Sequence, residues 1–141
     1  MELFGGMAGV TKVCIRRRLK TGINVDRECG FDMVKMDQCE KIMDYIDRHK
    51  PFLITMGPPC TSFGSWSHTN RRKRRATWEA GRVIGEALAN FAAAVAMKQL
   101  SCGRDFLIEN PCGSEIFKLA SFEKLWKTGQ VCKVHIPQCA L

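Results

Sequence analysis

Two unbroken apolar runs of strand length set the strongest limit on what this chain can fold into. One is Phe52-Leu53-Ile54-Thr55-Met56, halted by Gly57-Pro58-Pro59; the other is Phe106-Leu107-Ile108 within 105–109, halted by Asn110-Pro111. A strand with one wet face alternates apolar and polar residues. These runs do not alternate, so they predict strands of a parallel sheet covered on both faces. Parallel strands need long crossovers, usually helices, and segments of helical period lie where they are required. In 38–49, Cys39, Ile42, Met43 and Ile46 share a stripe, while Glu40, Lys41, Asp44, Asp47 and Arg48 point away. In 78–100, Ile84, Leu88, Phe91 and Val95 form a second stripe. A third helix is predicted over 10–19, closed by Thr21-Gly22 through the left-handed conformation glycine adopts readily.

Short strands at 2–4 and 22–26, a short helix at 122–126 and a last strand at 131–136 complete the pattern. The polar stretch 61–76, rich in Ser, Thr and Arg, reads as a mobile surface loop. Strand and helix therefore alternate, which predicts an α/β fold with a Rossmann-like open sheet of mostly parallel strands. A length of 141 residues suffices for one such domain, 1–141, with one core.

Charge narrows the partners. A net charge of +8 and a pI near 9.3 favour a polyanion, most commonly nucleic acid, with a basic domain lacking such a partner as the alternative. The eight cysteines form no Cys-x-x-Cys pair, so neither zinc nor another metal is expected. With no secretory leader pattern at Met1, the expectation is an intracellular protein whose thiols are free and mostly buried, Cys60 excepted. The most apolar stretch, 87–97, is short of the roughly 20 residues a membrane span needs, so no membrane association is expected.

In open α/β sheets, ligands sit beyond the carboxyl ends of the strands. Four residue groups fall at such ends here. Phe4-Gly5-Gly6-Met7-Ala8-Gly9 follows the first strand, and a glycine turn lets backbone approach a cofactor closely. Asp26 ends the second strand, 20 residues after Gly6, where a carboxylate can accept hydrogen bonds from both ribose hydroxyls of a nucleoside cofactor. Pro58-Pro59-Cys60 leaves the third, with two prolines fixing the backbone that presents a thiol. Glu109-Asn110 leaves the fourth, offering a carboxyl group beside that thiol.

These residues resemble the motifs of cytosine-C5 DNA methyltransferases. Glu2-Leu3-Phe4-Gly5-Gly6-Met7-Ala8-Gly9 is similar to that family's opening Asp-Leu-Phe-x-Gly-x-Gly-Gly motif. Gly57-Pro58-Pro59-Cys60 resembles its catalytic Pro-Cys motif, and Ile108-Glu109-Asn110 its Glu-Asn-Val motif, in the same order over residues 2–113. The resemblance implies S-adenosylmethionine held by Phe4, Gly5, Gly6, Met7, Gly9, Asp26 and Pro58. It implies a cytosine flipped out of DNA, DNA being favoured over RNA, with Cys60 adding to C6, Glu109 bonding at N3 and Asn110 holding the Glu109 loop. The basic run Arg71, Arg72, Lys73, Arg74 and Arg75 would contact phosphates or serve nuclear import, and the two are compatible. Trp66 offers a ring to stack on a base.

The sequence departs from the family pattern at Glu2, Ala8, Thr61 and Pro111, and it shows no Gln-x-Arg-x-Arg motif. Up to Leu141 it carries no target-recognition domain, so the expected fold is incomplete at both ends. A rival reading follows from these departures: a non-catalytic nucleic-acid-binding relic, or a fragment of a larger polyprotein.

Overall fold

The computed structural model of the protein describes residues 1–64 and 67–137. Its strands are β1 (Glu2–Leu3), β2 (Asn24–Val25), β3 (Leu53–Met56) and β4 (Asp105–Ile108). They form one sheet in the order β2-β1-β3-β4, with every pairing parallel. The helices are α1 (Gly9–Arg16), α2 (Met36–His49), α3 (Ser67–Lys73), α4 (Arg75–Ser101) and α5 (Ala120–Lys127). The chain is therefore α/β, as the alternation of its patterns predicts.

Register assigns each strand residue to a face. Leu3 pairs with Val25 and Met56, and Met56 with Ile108, so these share one face with Ile54 and Phe106. That face carries the core: Leu3, Val25, Ile54 and Met56 pack with Ile42 and Ile46 of α2 and with Ala89, Ala92, Ala93, Val95 and Ala96 of α4. An ion pair of 2.7 Å between Lys98 and Asp47 joins the two helices. The other face bears Glu2, Leu53, Thr55 and Leu107.

The expected cover on both faces is not found. Leu53 and Leu107 stay 40% and 57% exposed. Topology explains this. From β1 the chain steps one way to β2, then returns across β1 to β3 and β4. Right-handed crossovers then put α1 on one face and α2 and α4 on the other. Backbone N–H groups of Val10 and Thr11 in α1 indeed donate to the Glu2 side chain on the uncovered face.

At the amino ends of β3 and β4, the fully buried Gln99 of α4 ties the strands together. Its Nε2 donates to the carbonyls of Pro51 (3.0 Å) and Asp105 (2.8 Å), and its Oε1 accepts from Arg104 Nε. Helix α4 is 27 residues long and, by length and composition alone, apolar enough to cross a membrane; here its small-residue stripe lies in the core.

Several local expectations are corrected. Helix α1 ends at Arg16, before 19, and the left-handed residue that closes it is Arg18 (φ 57°), not Gly22. The N–H groups of Leu19 and Arg18 bond back to the carbonyls of Cys14 and Ile15, a Schellman closure that satisfies the helix end without glycine. The predicted loop at 61–76 holds α3 and the start of α4, since Arg and Lys are good helix formers once their charges are solvated. No strand forms at 131–136: Val134 and Ile136 are exposed, and alternation without a neighbour to pair makes no sheet. Among the described residues the cysteines are free, yet none is fully buried. Trp66 and Cys139 lie outside the described residues.

Candidate active site

The glycine turn after β1 is held from both sides. Glu2 is buried, and its carboxylate accepts from the N–H groups of Val10 (3.3 Å) and Thr11 (2.9 Å) and from Thr11 Oγ1 (2.8 Å). A carboxylate at the amino end of α1 satisfies donors the helix leaves unpaired and opposes its dipole. Any Cβ at Gly5 would collide with Glu2 Cγ and Asn24 Oδ1, so only glycine fits there. Gly6 takes φ 50°, and its N–H donates to Asp26 Oδ2 at 2.9 Å. The other oxygen of Asp26 accepts from Glu28 N–H at 3.0 Å, and Asn24 Nδ2 donates to the Gly6 carbonyl at 3.0 Å.

Two non-glycine residues of the turn lie in the left-handed region, Phe4 (φ 56°) and Ala8 (φ 58°). For an L-residue that conformation costs roughly 1–2 kcal/mol. Ala8→Gly is therefore expected to stabilise the fold by about 0.5–1 kcal/mol, read as a higher melting temperature. An unchanged or lowered melting temperature would show that the turn is not strained at Ala8.

Beyond the carboxyl ends of the strands lies a pocket of about 360 Å³. Phe4, Asp26, Phe31, Asp32, Met33 and Pro59 contribute walls, and α4 closes it with Gly81, Ile84, Gly85 and Leu88. The volume falls within the range typical of small-molecule sites. Its chemistry, two aromatic rings with two carboxylates and the guanidinium of Arg27, fits a flat heterocycle carrying a polyol. Of the residues expected to hold a cofactor, Phe4 and Asp26 form walls, while Gly5 and Gly6 shape the turn behind them. Met7 is 75% exposed, Gly9 opens α1, and buried Pro58 serves through its carbonyl; none of these three forms a wall.

Cys60, Glu109 and Asn110 are not walls of this pocket, though Pro59 and Thr61 on either side of Cys60 are. The Glu109 N–H donates to the Met56 carbonyl at 2.9 Å, so the loops leaving β3 and β4 run side by side. Asn110 Nδ2 donates to the Pro58 carbonyl at 2.8 Å, which ties the Glu109 loop to the backbone two residues before Cys60. Cys60 is half-buried, Glu109 is exposed, and the Cys60 carbonyl accepts from the N–H groups of Phe63 and Gly64 in a tight turn. Among the described residues no group of three His, Cys, Asp or Glu side chains is placed to hold a metal.

The basic run is exposed and helical except at Arg74, and it is not uniform. Arg71, Arg72 and Lys73 end α3, with the Arg71 guanidinium 5.3 Å from the centre of the Trp78 ring. Arg74 precedes α4, and Arg75 pairs with Glu79 at 2.7 Å, a hydrogen bond that raises its pKa further.

Sequence reasoning missed Arg82, which organises the loop after Cys60. Its side chain is 19% exposed and lies 4.3 Å over the Phe63 ring; it donates to the Ser62 carbonyl (3.1 Å), Glu86 (2.7 Å) and Glu115 (3.0 Å). Burial pulls the guanidinium pKa down, but the bonds to Glu86 and Glu115 outweigh it and raise the pKa overall. Phe63 in turn packs on Gly85, where an added Cβ would come within 2.9 Å of Phe63 Cε2. The available signal was Gly81 and Gly85, four residues apart inside a helical pattern, which disfavours glycine unless something packs there. No family model, no curated protein and no solved structure matches this chain.

Proposed function

We propose that the chain is a Rossmann-like, S-adenosylmethionine-dependent methyltransferase core that acts on C5 of cytosine in DNA. One observation carries the reading: the Asn110–Pro58 hydrogen bond joins the loops of a thiol and a carboxylate at neighbouring parallel strand ends, beside a pocket suited to a nucleoside. Phe4 and Phe31 would flank the adenine, and Asp26 and Asp32 would meet the ribose hydroxyls and the cationic end. When bound, the cofactor supplies an electrophilic methyl group.

The chain's own residues would do the rest. Cys60 Sγ, as thiolate, forms a bond to C6 of a flipped-out cytosine, and the ring electrons move toward C5. Glu109, as the carboxylic acid, donates a hydrogen bond to N3 and stabilises the negative charge that develops on the ring. Once C5 has gained a methyl group it loses its proton, the S–C6 bond breaks, and the thiolate is restored. Arg71, Arg72, Lys73 and Arg74 would meet phosphates, with a nuclear location as the corresponding proposal.

Calorimetric titration with S-adenosylmethionine tests the pocket. Binding is expected in the unaltered chain and is expected to vanish in Ile84→Trp, because Ile84 is an exposed wall residue whose enlargement fills the space without touching the core. Equal binding by both proteins would place the cofactor elsewhere. The exposed basic run favours a second reading, a non-catalytic nucleic-acid-binding domain, which predicts salt-sensitive binding and no cofactor uptake.

A further inference from the structure

The uncovered sheet face has a floor and a wall. Leu53 and Leu107 form the floor, over β3 and β4. The wall is α1, which buries none of its own residues and leaves Val10, Val13 and Ile15 exposed, with Leu19 just after it. Every charged side chain from 9 to 23 is basic: Lys12, Arg16, Arg17, Arg18 and Lys20, all exposed. Glu2 is engaged by α1, and the exposed acids of this face, Asp105 beside Leu53 and Glu109 past Leu107, lie along β4, the strand farthest from α1.

We propose that the step between α1 and the floor of β3 and β4 docks an acidic amphipathic helix of a partner protein. A parallel sheet is stable with helices on both faces, and here one face is half covered. A helix is about 10–12 Å across with its side chains and packs about 8–10 Å from a neighbouring helix, so one fits beside α1 with its apolar stripe on Leu53 and Leu107. The aliphatic walls suit such a stripe. They offer no aromatic platform for bases, and a flat bilayer reaching the crest of α1 would not reach the floor one helix diameter below. Charge selects the partner: acidic side chains on the flank toward α1 would meet Lys12 and Arg16 of the helix and Arg17, Arg18 and Lys20 just after it. The surface is separate from the proposed cofactor pocket, whose helical wall belongs to α4 on the opposite face.

The test uses the full chain and a fluorescent helical peptide of about 18 residues, long enough for some helix in water, with Leu at i, i+3, i+4 and i+7 and Glu on the flanking positions. Binding is followed by anisotropy, beside the same peptide with Lys for Glu, phosphatidylserine vesicles and a short DNA duplex. The acidic peptide is expected to bind saturably, and Leu107→Glu or the double change Arg16→Glu, Arg17→Glu should each weaken it at least about tenfold. These residues are exposed, and a thermal melt of each variant confirms that it folds. The proposal is overturned if the Lys peptide binds as well as the Glu peptide, or if both variants keep full affinity. It is equally overturned if the variants abolish only vesicle or DNA binding.

Discussion

Cys60→Ser is expected to reduce methyl transfer to a cytosine-containing duplex by at least about a thousandfold. A hydroxyl at this position lacks the accessible anionic form that makes a thiol reactive near neutral pH. The same substitution should leave S-adenosylmethionine affinity within about twofold, because Cys60 is not a wall of the pocket and a hydroxyl fits where a thiol did. Incorporation of labelled methyl groups measures the first quantity and calorimetry the second. Transfer that persists in the variant removes Cys60 from the reaction. Simultaneous loss of transfer and cofactor affinity means instead that the loop has collapsed, and the assigned roles fail.

Arg82→Leu should destabilise the fold by about 1–3 kcal/mol, since it removes a largely buried guanidinium that donates to three acceptors and packs on a ring. The guanidinium reaches the Ser62 carbonyl, Glu86 and Glu115 and covers Phe63, so three segments lose a shared anchor. Arg75→Leu is the matched control. Its ion pair is as short, but the side chain is 81% exposed, so solvent screens the pair and its loss should barely move the unfolding midpoint. Thermal or denaturant unfolding of both variants decides the matter: equal losses would mean that Arg82 anchors nothing. If the anchor also sets the Cys60 loop, Arg82→Lys should recover stability in part, yet transfer poorly, because an ammonium cannot reproduce the guanidinium's planar, branched set of donors.

The parts of this fold legible in the sequence are those that local chemistry decides. Phe52 to Met56 and Phe106 to Ile108 had the composition of strands and became β3 and β4. The stripe of Ile42 and Ile46 set α2 in place to within two residues of its start. Asp26 and the glycine turn were singled out by spacing, and their side chain and backbone do meet. What stayed illegible depends on distant neighbours. Nothing local marks Arg82, whose role depends on Glu115, 33 residues on. Leu53 and Leu107 were read as doubly covered because an apolar run does not state which face the crossovers will serve. The end of α1 was misplaced for the opposite reason: a backbone closure through Arg18 did what glycine was expected to do.

The strand order also dictates when the chain can become itself during synthesis. β1 lies between β2 and β3, and its N–H and C=O groups are shared with both. It is made first but cannot be locked until Leu53 to Met56 has emerged, with two segments of intervening chain already formed. Such non-local pairing delays closure of the sheet, since loop entropy is lost before the contacts reward it. Glu2 and Leu3, buried at the end, therefore wait in water longest, and a nascent chain stalled before β3 would present the glycine turn and α1 with no sheet to rest on.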